Sequence, residues 1–138
     1  MTDYVDHALD MELTGPEGVR VTVPTRLRYR ADEPLAVQFR FDRAASGPAL
    51  WVFARELLTE GLSAPAGEGD VRVWPTRADG RELLHVALSA PGGSAHLTTA
   101  LAPVREWLCR TYRLVPADRE SEALDLEHHL TRFLEDSS

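Results

Sequence analysis

Along most of the chain, apolar and polar residues alternate with the two-residue period of a half-buried strand. Val5, Leu9, Met11 and Leu13 fall in one phase and Asp6, Asp10 and Glu12 in the other, with His7 the exception. Gly15-Pro16-Glu17-Gly18 is a turn signal, after which Val19, Val21, Val23, Leu27 and Tyr29 oppose Arg20, Arg26, Arg28 and Arg30. Pro24 has no N–H to give a central ladder, so a bulge or an edge position is expected there. Leu35, Val37, Phe39 and Phe41 then alternate with Gln38, Arg40 and Asp42, and Ser46-Gly47-Pro48 turns the chain into the wholly apolar run from Leu50 to Ala54. Strands joined by such short turns predict an antiparallel meander.

Arg55 to Glu60, RELLTE, suits a short helix, and Gly61 stands where a left-handed C-cap is expected. Alternation resumes with Val71 and Val73 against Arg72 and Trp74, up to Pro75, which is expected to end that strand. It continues with Leu84, Val86 and Leu88 against His85, Ala87 and Ser89, and a brief strand from Ala95 to Thr98 follows the Pro91-Gly92-Gly93 turn. From Leu101 the spacing becomes helical, through Val104, Leu108 and Tyr112, with Pro103 tolerable in a first turn. A second helix is expected through Leu126, Leu130, Phe133 and Leu134, with Glu120 and Glu122 at its positive N-terminal end. The order ββββ-α-βββ-αα predicts an α+β, antiparallel β-rich fold of about seven strands, as one bent sheet or two packed sheets with C-terminal helices. No repeat, low-complexity tract or linker divides the chain, so 1–138 is expected to be a single domain.

Composition narrows the setting. With 138 residues and 43% apolar side chains, the chain can bury one core without staples. Cys109 is the lone cysteine, so no intramolecular disulfide forms and a reducing, cytoplasmic setting is expected. The first residues, MTDYVDHALDMEL, contain four acids and no base, unlike an export signal. The run from Ala49 to Ala54 is far short of the about 20 residues a spanning helix needs, so no membrane insertion is expected. Twenty-two acids against fifteen bases give a net charge of −7, a field that repels phosphate backbones and anionic lipid.

The candidate chemistry is sparse. One cysteine and scattered histidines do not supply a tetrahedral zinc set. His128 and His129 adjoin Asp125 and Glu127, but only Asp125 with one histidine can converge on a helix, which reads as a solvated face. His85 and His96 lie on separate expected strands whose register is not given by the sequence. No G-x-S-x-G elbow, P-loop or glycine fingerprint occurs, and the carboxylates of Gly67-Glu68-Gly69-Asp70 would repel a phosphate. Cys109, beside Leu108, reads as a small buried hydrophobe. These readings point to a non-enzyme without a cofactor. Six arginines face three acids between Arg20 and Arg43, with Tyr29, Phe39 and Phe41 interleaved, which hints at single-stranded nucleic acid. Yet the alternation sets rings and arginines on opposite faces, whereas a stacking groove needs both on one.

Residues 51–75 read WVFARELLTEGLSAPAGEGDVRVWP. This stretch resembles the signature of the SsgA-like sporulation and cell-division proteins of filamentous actinomycetes. A tryptophan-aromatic strand (Trp51, Phe53) runs into an A-R-E-L-L-x-x-G-L helix (Ala54 to Leu58, Gly61, Leu62), then a G-x-G-D-V-x-V-W-P strand (Gly67, Gly69 to Val71, Val73 to Pro75). Looser matches are VPTRLRY, Glu33 to Val37, Pro91-Gly92-Gly93, Trp107 to Thr111 and Asp125-Leu126-Glu127. The chain departs from the family pattern at Ala117, where a glycine commonly follows the proline, and at Glu127, where an aspartate is frequent.

The resemblance implies a β-rich subunit of whirly-like topology that forms a homo-oligomer, a trimer. It implies a non-enzymatic adaptor, cytoplasmic and at the septum, that positions or promotes septum assembly by recruiting division proteins such as FtsZ or other SsgA-like proteins. A single-stranded nucleic-acid-binding module on the same fold is the alternative, although the charge argues against a nucleic-acid partner. The polar part of the signature gives the candidate partner or oligomer interface: Arg55, Glu56, Glu60, Asp70, Arg72 and Trp74. Arg55, Glu56 and Asp70 are expected either to meet a partner or to form an ion pair or cap locking helix to strand. Trp74 has the phase of Arg72, opposite Val71 and Val73, and is expected to stand outside the sheet as an interface anchor.

Overall fold

The computed structural model describes residues 3–43 and 47–118. Its elements are β1 (Tyr4–Thr14), β2 (Arg20–Arg30), β3 (Ala36–Arg43), β4 (Gly47–Ala54), α1 (Arg55–Gly61), β5 (Val71–Ala78), β6 (Arg81–Ala90), β7 (Gly93–Ala100) and α2 (Leu101–Leu114). The fold is α+β, as expected. The turn at Ser46 and the expected helix from Glu120 through Leu134, with His128 and His129, lie outside the described residues.

The strands form one seven-stranded sheet in the order β4-β3-β2-β1-β7-β6-β5, rather than two packed sheets. Every pairing is antiparallel. The sheet is two meanders, β1 to β4 and β5 to β7, joined where β1 meets β7. That joint is short: Glu12↔Thr98, Leu13↔Leu97 and Thr14↔His96, whereas β1 and β2 pair along their whole length. The two halves can therefore turn about a narrow seam, and the sheet curls into a half-barrel. Asp79 and Gly80, at φ 53° and 75°, supply the paired positive angles of the tight turn between β5 and β6.

The inner face holds the core. Met11, Leu27, Tyr29, Val37, Phe39, Val73, Leu84 and Val86 are fully buried, each in the apolar phase of its strand. α2 closes this face with Leu101, Val104, Trp107 and Leu108, spaced three or four residues apart along one stripe. The Trp107 indole also donates to the Val5 carbonyl at 3.0 Å, so its buried N–H is satisfied and the helix is tied to β1.

The structure corrects several local expectations. No bulge occurs at Pro24: the β1–β2 register runs on through Asp10↔Pro24. Pro24 instead lies one residue beyond the last β2–β3 pair, Thr25↔Phe41, where its missing N–H costs no ladder bond. Gly61 is not a left-handed cap; it is the last residue of α1, and Leu62 follows at φ −75°. A Cβ at Gly61 would overlap the side chain of Val73, so the glycine permits close approach of helix and strand. Pro75 does not end β5, which runs on to Ala78, because an edge strand tolerates a missing donor. Cys109 lies on the exposed side of α2.

Candidate functional site

β5 carries Val73 inward, fully buried against α1, and so turns Arg72 and Trp74 to the outer face. The register places Trp74 opposite His85 and His85 opposite Thr98, so side chains from three strands meet on that face. Trp74 stacks on His85, with centroids 5.3 Å apart and planes 5° from parallel. His96 completes the group, 5.4 Å from the indole and 5.1 Å from the His85 ring. The tryptophan is thus half-buried against imidazoles rather than standing free.

Hydrogen bonds fix the rings. His85 Nε2 lies 2.7 Å from the Thr76 hydroxyl, and His85 Nδ1 lies 2.9 Å from His96 Nε2 and 3.3 Å from the Thr98 hydroxyl. Two imidazole nitrogens so close share one proton, which requires one ring to donate and the other to accept. Burial lowers the His85 pKa, and the neighbouring His96 lowers it further. Both effects favour the uncharged form of His85. Beside the stack, where β1 and β7 part, is a depression of about 540 Å³ whose lining includes Asp10, Glu12, Arg20, Arg81 and His96.

The other expected site residues do not gather here. Arg55 is fully buried: its Nη1 donates to the Thr111 carbonyl at 3.1 Å, and its guanidinium lies 4.6 Å from the Tyr29 ring centre and 3.9 Å from that of Tyr112. It locks α1 to α2, whereas Glu56 and Asp70, its expected ionic partners, are exposed. Glu56 and Glu60 face solvent on α1, which packs on the inner side of β5, away from Arg72 and Trp74. The sequence concealed His85 and His96 as functional neighbours because 11 positions separate them and only the register superposes them.

Among the described residues, no group of three or more His, Cys, Asp or Glu side chains is placed to hold a metal ion. No helix among them is long and apolar enough to cross a membrane. Tyr29, Phe39 and Phe41, the rings of the nucleic-acid alternative, are buried on the inner face, away from the arginines between them.

A curled antiparallel sheet with a short helix after its fourth strand and a longer one after its seventh defines a small class of α+β proteins. The chain belongs to the SsgA family: the family described as Streptomyces sporulation and cell division protein, SsgA, matches residues 23–120. It is 42% identical over 125 residues to the sporulation-specific cell division protein SsgB of Thermobifida fusca, covering 90% of both chains. To SsgB of Streptomyces coelicolor it is 39% identical over 137 residues, covering 99% of this chain and 100% of that one. A solved SsgB structure, described as linking SsgB mutations to longitudinal cell division during sporulation of Streptomyces coelicolor, superposes with a TM-score of 0.83 at 39% identity. It covers 89% of this chain and 97% of that one. The crystal structure of an SsgA-like sporulation-specific cell division protein from Thermobifida fusca superposes equally well, with a TM-score of 0.83 at 37% identity over 95% and 96% of the two chains.

Proposed function

We propose that the chain is a non-enzymatic adaptor of sporulation-specific cell division, which self-associates and recruits division proteins such as FtsZ to the septum from the cytoplasm. The observation that carries this reading is the Trp74–His85–His96 stack on the outer face of the sheet. It is a flat, preorganised aromatic surface, and tryptophan is the side chain most enriched among residues that dominate interface energies. The names of the relatives supply the setting, and surface recruitment is the mechanism such a surface suits.

The test is a Trp74→Ala variant, expressed as a fluorescent fusion in sporulating hyphae that lack the wild-type chain. It is expected to fold, to lose its place at the septum and to leave septation defective. If Trp74 is a hot spot, association weakens by about 2 kcal/mol or more. Regular septa with Trp74→Ala would end the proposal, and a circular dichroism melt showing the variant unfolded at 25 °C would reassign Trp74 to the core. Self-association is checked by sedimentation: more than one subunit is expected at micromolar concentration, and a single-subunit mass would refute it.

A further inference from the structure

A wholly apolar run such as Leu50 to Ala54 predicts a strand covered on both faces, yet β4 covers one. Phe53 enters the core, while Leu50 and Val52 are 59% and 51% exposed on the outer face. β4 is also an edge of the sheet, and no described residue pairs with its free side. The opposite edge is guarded: Ala66 exchanges backbone hydrogen bonds with Val73 at 2.8 and 3.0 Å, Pro75 removes a donor, and Arg72 and Arg77 add charge. On β4 the one such device among the described residues is Pro48 near its start, and the stretch from Leu50 to Ala54 carries neither proline nor charge.

Charge beside the apolar patch is arranged against its own stability. The register sets Leu50 opposite Arg40 and Arg40 opposite Arg26, so two guanidinium groups are cross-strand neighbours, an unfavourable pairing in an isolated sheet. The surrounding carboxylates do little to relieve it: Asp10 lines a shallow depression with Arg26 and Asp42 but forms no ion pair among the described residues. Asp6 is held by Arg28 through two bonds of 2.8 Å, and Asp42 reaches Arg40 only at 3.9 Å with both side chains largely in water. Arg26 has no ion pair among the described residues. Arg26, Arg28, Gln38, Arg40, Pro48 and Leu50 line a depression of about 270 Å³, room for a few side chains.

We infer that this face is a docking site for an extended segment of a partner protein that carries both acidic and apolar side chains. A carboxylate seats between Arg26 and Arg40, relieving their repulsion, and its apolar neighbours cover Leu50 and Val52. A membrane or nucleic acid fits less well. Asp6, Asp10 and Glu12 share this outer face and the whole chain carries −7, so an extended polyanion is repelled where a short segment is not. The inference rests on the recruitment reading for the existence of a partner, but not on the Trp74 surface.

The experiment uses the purified chain and a labelled nine-residue peptide of alternating leucine and glutamate, followed by fluorescence anisotropy. Saturable binding is expected. It should weaken about tenfold or more with Arg26→Ala, Arg40→Ala or Leu50→Ser, and fall as salt is added, as a charge-assisted contact should. The three positions are exposed, and a thermal melt of each variant checks that the fold persists. Trp74→Ala should leave this binding unchanged, which separates the failure of one surface from that of the other. Equal affinity for a peptide with glutamine in place of glutamate would overturn the inference, as would full affinity in an Arg26→Ala, Arg40→Ala double variant. Binding to phosphatidylglycerol vesicles or single-stranded DNA in preference to the peptide, lost in that double variant, would overturn it in favour of a phosphate surface.

Discussion

A guanidinium in a core must be met by something other than water, and Arg55 is met by a carbonyl and two tyrosine rings. Its planar charge suits that sandwich, and a lysine ammonium would match neither the rings nor the carbonyl geometry as well. Arg55→Ala is expected to cost about 3 kcal/mol of unfolding free energy, through lost packing and lost cation–π contact, with Arg55→Lys between it and the wild type. Urea denaturation measures the order, and an Arg55→Ala midpoint equal to wild type would show the sandwich to be idle. His85 gives a pH signature. Its pKa is lowered in the folded chain by burial and by His96, so the unfolded chain takes up the proton first as pH falls. The stability it contributes is complete above the ordinary histidine value of 6.5 and is lost as pH drops from there toward the lowered value. Thermal melts between pH 7.5 and 5 should show a smaller acid loss for His85→Gln than for wild type. An unchanged slope would mean that the stack tolerates the charge.

Between elements, two junctions set the shape. At the first, Gly61 lets α1 rest directly on Val73. Gly61→Ala raises helix propensity, yet it forces a methyl into that contact. Overpacking is expected to win, destabilising by about 1–3 kcal/mol, and a stabilised variant in urea would show that the helix can slide away. The second junction is the seam of three residue pairs between β1 and β7. Short pairing is the weak point of a sheet, so amides there should exchange with solvent faster than those along the β1–β2 ladder. Equal protection in a hydrogen-exchange experiment would mean that the two halves open as one unit.

At the scale of the molecule, the described residues bring no three His, Cys, Asp or Glu side chains together to hold a metal ion. Histidine neighbours at the outer face are threonine hydroxyls and another histidine, and the acids are spread over many strands. Zinc, magnesium and nucleotides are therefore expected to leave the melting temperature unchanged at saturating concentration. A rise of several degrees would reveal a site that the described residues do not assemble. The two proposed surfaces lie at opposite ends of the strand order, Trp74 on β5 and Leu50 on β4.

The elements and their inner faces follow from the order of residues alone, because period-two alternation leaves a strand one way to bury its apolar side. Val73 inside with Trp74 outside was legible in that way, and so was α2 with its proline in the first turn. The same local reading failed at Gly61 and Pro75, whose roles depend on which element lies beside them. It failed at Arg55 as well, since a charged residue at a helix start reads as surface until a second helix is laid over it. That the apolar run of β4 forms an edge with one face in water emerges only from the folded sheet. Only the register decided which distant residues meet: His85 beneath Trp74, and Arg40 beside Arg26. Alternation fixes the face of each residue, but a neighbour across strands is set by strand order and stagger, which are properties of the whole sheet.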